Sequence, residues 1–448
     1  MIIFLDVLKR RFCLSLLLFF TATAMLQGCQ SIEKFASDLV SQSPREAYAA
    51  SLRTAGLQYT QLGRQWTQAA ETAKLAAVEL TDARYQESGY FSPGEVRASS
   101  FRIHLQRGEQ LQVQVSVTSE QTSQLFADVY VAAETGWAHR ESITPGNNPV
   151  HINSQQDADY LILLQPELLA PMRYELALAK GGSLTFPVQG KTSRAIGGVF
   201  GDPRDGGRRK HHGVDIFAKR GTPVVAVTSG SVRTGESKLG GQVVWLRDAE
   251  RGVSYYYAHL DKITVSNGAR VTANTPLGEV GNSGNARGTP PHLHFGIYAN
   301  LGGPENPQPY IQAAAKIPKG ASQPPAAGSL RVASAKLRLR KGPNTDASIL
   351  GDLPRGTLIH AVATHGTWYR VTLADGRRGY VGARWLEPIQ TALQKITINK
   401  TARLLASPHA DALELTQISD TRVSAFARMG DYWWVEDNVG RRAWLAPG

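Results

Sequence analysis

The 448-residue chain is 42% apolar and 19% charged, a balance that excludes an intrinsically disordered protein and leaves room for two to four globular domains. Its net charge of +12 favours polyanionic partners. The two cysteines are Cys13 and Cys29, so past residue 29 there is no thiol for a disulfide or a thiolate-bound metal, and any metal must be held by His, Asp or Glu.

At the N-terminus, Lys9, Arg10 and Arg11 precede the apolar run CLSLLLFFTATAML, and LQGC follows at Leu26 to Cys29. A basic region, a short apolar core and small residues before a cut site predict a secretory leader over residues 1–28. The run is shorter than the ~20 residues a spanning helix needs. LQGC resembles the lipobox of bacterial lipoproteins. That resemblance implies cleavage before Cys29 and a lipid anchor on it. Gln30, in place of Asp, implies sorting to the outer membrane of a Gram-negative envelope, facing the periplasm. In that compartment nucleic acid is a poor partner. Carboxylate-rich cell wall, anionic lipid and other envelope proteins fit better.

Residues 44–84 lack proline after Pro44 and space their apolar residues with a helical period, which predicts one or two helices within a segment 29–90. The pattern then switches to period two. SFRIHL, QLQVQVSVT, QLFADVYVA, DYLILLQP and RYELALA predict a β-sandwich over 91–189. Residues 190–312 hold a histidine cluster among further strands, and 313–329 are a Pro/Gly/Ala/Ser linker.

Beyond the linker the chain repeats itself. GTWYRVTLADGRRGYV starts at residue 366 and GDYWWVEDNVGRRAWL starts at 430. Two copies of short strands predict tandem small β-barrels over 330–388 and 394–448. They resemble bacterial SH3-like domains, and the resemblance implies docking to wall peptides. The second copy carries Ala406, Ser407 and Pro408 where the first has its Arg-x-Gly-Pro turn. The predicted fold class is therefore mainly β, with a short helical segment near the N-terminus.

Five of the 11 histidines fall between residues 211 and 294. RRKHHGVDIF gives His211, His212 and Asp215; YYYAHLDKI gives His259; PPHLHFGIY gives His292 and His294. In a strand, His292 and His294 share a face. Such a pair can be a stacked surface pair, buried structural histidines or part of a metal site. Imidazole and carboxylate suit zinc where thiolates are absent, and a catalytic site keeps three protein ligands. A strand over 211–218 would likewise put His211 and Asp215 on one face. With GTPVVAVTSGSV, GQVVWLR and LGEVGN between them, the region predicts an antiparallel β-fold with a groove.

HHGVDIF, GTPVVAV, YAHL and HLHF, in that order, resemble the LytM/lysostaphin-type zinc metallopeptidases of family M23 from about Val199 to Tyr298. Carried over, the resemblance implies zinc held by His211, Asp215 and His294, with His292 and His259 as catalytic histidines and His212 as a neighbour. It implies a zinc-dependent endopeptidase cutting peptide cross-links of peptidoglycan. Gly296 departs from the many members that have Glu there. No HExxH occurs in the sequence, which excludes the Glu-based mechanism of that motif. The competing readings are a non-catalytic regulator of amidases that shares the fold, and a wall-binding scaffold.

Overall fold

A computed structural model describes residues 42–119, 122–146, 148–300, 302–318 and 329–447. The expected leader and Cys29 lie outside the described residues. Among the described residues no helix is long and apolar enough to cross a membrane.

The chain enters through helix Pro44–Thr54. Ser43 caps it with a reciprocal capping box to Glu46, and Pro44 sits in the first turn. Helix Gln61–Leu75 follows, capped by Thr60. Its buried face, Trp66, Ala70 and Ala73, packs on the outside of a sheet, where the Trp66 indole donates to the Pro166 carbonyl at 2.9 Å. The helical pattern stops sooner than the sequence predicts. Val78–Leu80 is a strand paired in parallel with Phe101–Ile103, and Arg84–Phe91 is an eight-residue strand. Pairing along neighbouring strands overrides the local helical composition there.

The sandwich has two sheets. One orders its strands Val78–Leu80, Ser99–Leu105, Ala158–Pro166, Leu125–Ala132, Trp137–Ile143. The other runs Arg84–Phe91, Met172–Gly182, Glu109–Thr118, Val150–Asn153. Alternation builds the core: Leu111, Val113 and Val115 are buried while Gln110, Gln112 and Gln114 are not.

The histidine-bearing region forms an antiparallel sheet whose central strands are Val214–Phe217, His292–Ala299, Val253–Ile263 and Gly241–Asp248, in that order. Its core already includes Leu184 and Val188, so this unit begins a few residues before position 190. A short helix, Gln308–Ile311, seats it on the sandwich. Arg107 pairs with Glu305 at 2.7 Å, and Gly182 donates to Gln312 O at 3.0 Å.

After the linker, strands Lys336–Arg340, Ile349–Pro354, Leu358–His365, Trp368–Leu373 and Arg378–Gly382 form a small barrel. Strands Ala402–Leu405, Glu414–Ile418, Thr421–Met429, Tyr432–Glu436 and Arg442–Leu445 follow with similar spacing in a separate sheet. The two units share apolar contacts through Met429 and Trp444. Strand Leu358–His365 also pairs with Arg84–Phe91 of the sandwich, Ser88 opposite Thr364 and Gly89 opposite Ala363. The first barrel thus returns across the whole histidine-bearing unit and extends a sandwich sheet.

Candidate active site

Asp215 and His294 face each other across adjacent strands, in direct register. Cross-strand neighbours on one face approach to ~5 Å at Cβ, so the register alone brings the carboxylate and imidazole together. His211 arrives differently from the expectation. It precedes strand Val214–Phe217 and reaches the site from the loop, so strand periodicity does not align it with Asp215. Gly213 makes that approach feasible: a Cβ there would lie 2.5 Å from Phe295 O and 2.8 Å from the His294 ring.

The three groups converge. His211 Nε2 lies 2.9 Å from His294 Nδ1 and 3.0 Å from Asp215 Oδ1, and His294 Nδ1 is 3.1 Å from the same oxygen. Among the described residues these three form a group able to hold a metal ion. The spacing fits a tetrahedral ion, since ligand atoms bound at about 2.0–2.1 Å lie about 3.3 Å apart. The surroundings orient the donors. His211 Nδ1 donates to Val199 O at 2.8 Å, which leaves Nε2 with its lone pair toward the cluster. Arg204 Nη2 donates to Asp215 Oδ2 at 2.7 Å, leaving Oδ1 for the cluster.

Burial pushes the Asp215 pKa up, but hydrogen bonds and positive charge from His211 and His294 outweigh it and hold the carboxyl well below its usual range. Burial lowers the His294 pKa against the pull of Asp215. The site therefore favours an ionised Asp215 carboxylate, and burial disfavours the charged form of the His294 imidazole; a carboxylate and a neutral imidazole are the forms in which such groups bind a metal.

His292 and His259 flank the cluster. His292 Nδ1 donates to Pro290 O at 2.9 Å, and its Nε2 comes to 4.0 Å from Asp215 Oδ1. His259 Nδ1 donates to Ser283 O at 2.9 Å. Their rings lie 5.1 Å apart. His259 sits at a β-bulge, where Gln242 pairs with Leu260 but Val244 with Tyr257. Its φ is +62°, a conformation rare for a non-glycine residue that clusters at functional sites. Burial lowers its pKa to about 4, despite a backbone hydrogen bond to Ser283 that raises it. His212 is exposed and lines the groove without joining the trio.

The groove over these groups has a volume of about 560 Å³, within the range of ligand clefts. Its lining residues run from Arg204 to Tyr298; none comes from the sandwich. Arg204, Trp245, Tyr256 and Tyr298 line it too and were not singled out from sequence. Period two along HLHFGIY would have found Tyr298, two steps beyond Gly296 on the face of His294.

Residues 209–307 match the model of peptidase family M23, and residues 335–387 match that of the bacterial SH3 domain. The chain carries an M23 peptidase domain. The second barrel lies outside the matched stretch. Over 144 residues the chain is 35% identical to the L-Ala--D-Glu endopeptidase of Bacillus subtilis, covering 30% of this chain and 44% of that protein. It is 30% identical over 140 residues to the peptidoglycan DD-endopeptidase ShyC of Vibrio cholerae, covering 31% and 30%. The solved catalytic domain of lysostaphin from Staphylococcus simulans is 33% identical over 26% of this chain and 90% of that one, with a TM-score of 0.24. The chain spans less than half the length of these curated relatives.

Proposed function

We propose that the protein is a zinc-dependent endopeptidase that hydrolyses peptide cross-links of peptidoglycan. The observation that carries this reading is the convergence of His211, Asp215 and His294 in a groove within a stretch that matches peptidase family M23. His211 Nε2, Asp215 Oδ1 and His294 Nδ1 would hold the zinc. Bound there, zinc supplies a Lewis acid that polarises the scissile carbonyl and acidifies water.

The chain's own residues do the rest. His292 and His259 each commit Nδ1–H to a backbone carbonyl, so in the neutral ring Nε2 carries the lone pair. One Nε2 takes a proton from the attacking water. The other, when protonated, donates to the developing oxyanion. Asp215 stays ionised, and Arg204 fixes its orientation.

The remaining parts of the proposal concern placement. The 335–387 domain and the barrel after it hold the enzyme on the wall, and a lipid on Cys29 tethers it to the outer membrane, facing the periplasm. Both rest on sequence resemblance. The basic net charge of +12 suits a carboxylate-bearing polymer.

The test uses residues 30–448 with purified sacculi, with and without a zinc chelator, reading released muropeptides by mass spectrometry. Chelator-sensitive conversion of cross-linked dimers to monomers is the expected result. No cleavage and no bound zinc would favour a regulator that keeps the fold, whereas bound zinc without cleavage would point to masking of the groove by the region before it.

A further inference from the structure

Beside the metal-binding trio lies a surface that none of the chemistry above uses. Trp245, Tyr256 and Tyr298 come from three adjacent strands and share the groove face. Trp245 and Tyr256 have ring centroids 4.4 Å apart, and Trp245 and Tyr298 5.4 Å. Tyr256 is 6.0 Å from the His294 ring. The three are half-buried, and their rings, inclined by 37° (Trp245–Tyr256) and 57° (Trp245–Tyr298), make a contiguous, faceted aromatic tray beside the metal-binding trio. Gly296 lets the Tyr298 ring lie close against its strand. It stands between His294 and Tyr298 on one strand face, and a Cβ there would meet the Tyr298 ring at 2.8 Å and His212 O at 3.0 Å.

The charge around the tray selects its occupant. An aromatic face attracts either a cation or the apolar face of a neutral ring. The groove is also lined by Arg204 and Arg209, and its carboxylate, Asp215, is engaged by Arg204 and the two histidines. A basic rim disfavours a cationic side chain on the tray. A sugar ring suits such a surface: its C–H faces can stack on an aromatic ring, and its hydroxyls can pair with the indole N–H and guanidinium donors that line the groove.

We propose that Trp245, Tyr256 and Tyr298 form a subsite for a sugar ring of the glycan strand, so that the enzyme recognises cross-linked peptides together with the sugars that bear them. This rests on the endopeptidase reading above. The reach is right. An extended peptide covers about 3.3–3.6 Å per residue, so the far ring of the tray lies within about three residues of the trio. A short stem peptide can put its own sugar there.

The test compares cross-linked muropeptide dimers with the same dimers after an amidase has removed their sugars, using residues 30–448. Wild type is expected to show kcat/KM about tenfold higher on the sugar-bearing dimer, carried by KM. In Trp245→Ala and Tyr298→Ala that ratio falls to near one, while zinc content, read separately, reports an intact site. A wild-type ratio near one, or a ratio that survives both substitutions, overturns the subsite.

Calorimetric titration of His292→Ala with both dimers gives a reading that needs no turnover. Tighter binding of the sugar-bearing dimer supports the tray; equal binding overturns it. Were wild type to cut neither dimer, the endopeptidase reading would fall and the calorimetric comparison would still decide the subsite.

Discussion

Arg370 and Glu87 form a bidentate ion pair across two domains that lie on opposite sides of the M23 domain in sequence. Arg370 Nε donates to Glu87 Oε2 at 2.9 Å and Nη2 to Oε1 at 2.8 Å. Glu87 is fully enclosed; Tyr85 and Tyr174 donate their hydroxyls to its oxygens. Tyr85 stacks on His365 of the first barrel, 4.8 Å between centroids. With the strand pairing of Ser88 and Gly89, this makes the barrel a fixed extension of the sandwich.

Breaking that pair leaves a buried charge unpaired. Arg370→Ala is expected to destabilise the joint by about 3–5 kcal/mol. Arg370→Lys loses the fork geometry and recovers only part of it. Urea unfolding followed with limited proteolysis, scoring early release of residues 330–448, checks this. Unchanged unfolding in Arg370→Ala would mean the barrel docks by other contacts.

The same pair makes the joint sensitive to acid. Burial pushes the Glu87 pKa up, but the Arg370 charge and the hydrogen bonds from Arg370, Tyr174 and Tyr85 outweigh it, and the folded pKa lies below the ordinary value. A carboxyl with a depressed folded pKa adds stability that is fully present above its unfolded pKa of about 4.3. That stability is lost as pH falls through the lower folded value. Protease sensitivity of the joint should therefore rise below about pH 4, and much less so in Glu87→Gln.

Variants of the cluster should separate metal binding from proton transfer. His294→Ala is expected to lose both zinc and turnover. His292→Ala should keep its zinc and lose about 10²–10⁴ in kcat. Metal analysis beside muropeptide assays reads both. Full turnover in either variant contradicts the assignment.

Arg204 acts one step further out, through its hydrogen bond to Asp215 Oδ2. Arg204→Ala should weaken zinc binding about 10–100-fold, measured by competition with a chelating dye. An unchanged affinity would show that Asp215 needs no such support.

His259 should remain neutral well into acid. Its folded pKa is lowered to about 4, chiefly by burial. For a base so depressed, stability is present above the unfolded pKa of about 6.5 and is lost as pH falls through the folded value. An NMR titration of the metal-free protein should place its midpoint near 4, and a midpoint in the ordinary imidazole range would contradict the burial seen here.

The sequence by itself determined which imidazole and carboxylate side chains the candidate site contains. Short patterns such as HHGVDIF, YAHL and HLHF carry the donors, and period two in the last of them puts His292 and His294 on one face because β side chains alternate. It also showed the repeat near the C-terminus and the alternating strands of the sandwich. Local pattern failed where pairing partners decide. Residues 78–84 read as helical because their strand partners, Phe101–Ile103 and the Met172–Gly182 strand, are distant in the chain. His211 enters from a loop, which no strand period encodes.

Only the tertiary structure showed that Asp215 stands opposite His294, that a bulge re-aims His259, and that Trp245, Tyr256 and Tyr298 adjoin. It alone brought Arg370 back to Glu87. Each of these joins residues far apart in sequence, and such contacts are fixed by sheet register and burial, which only the folded chain defines.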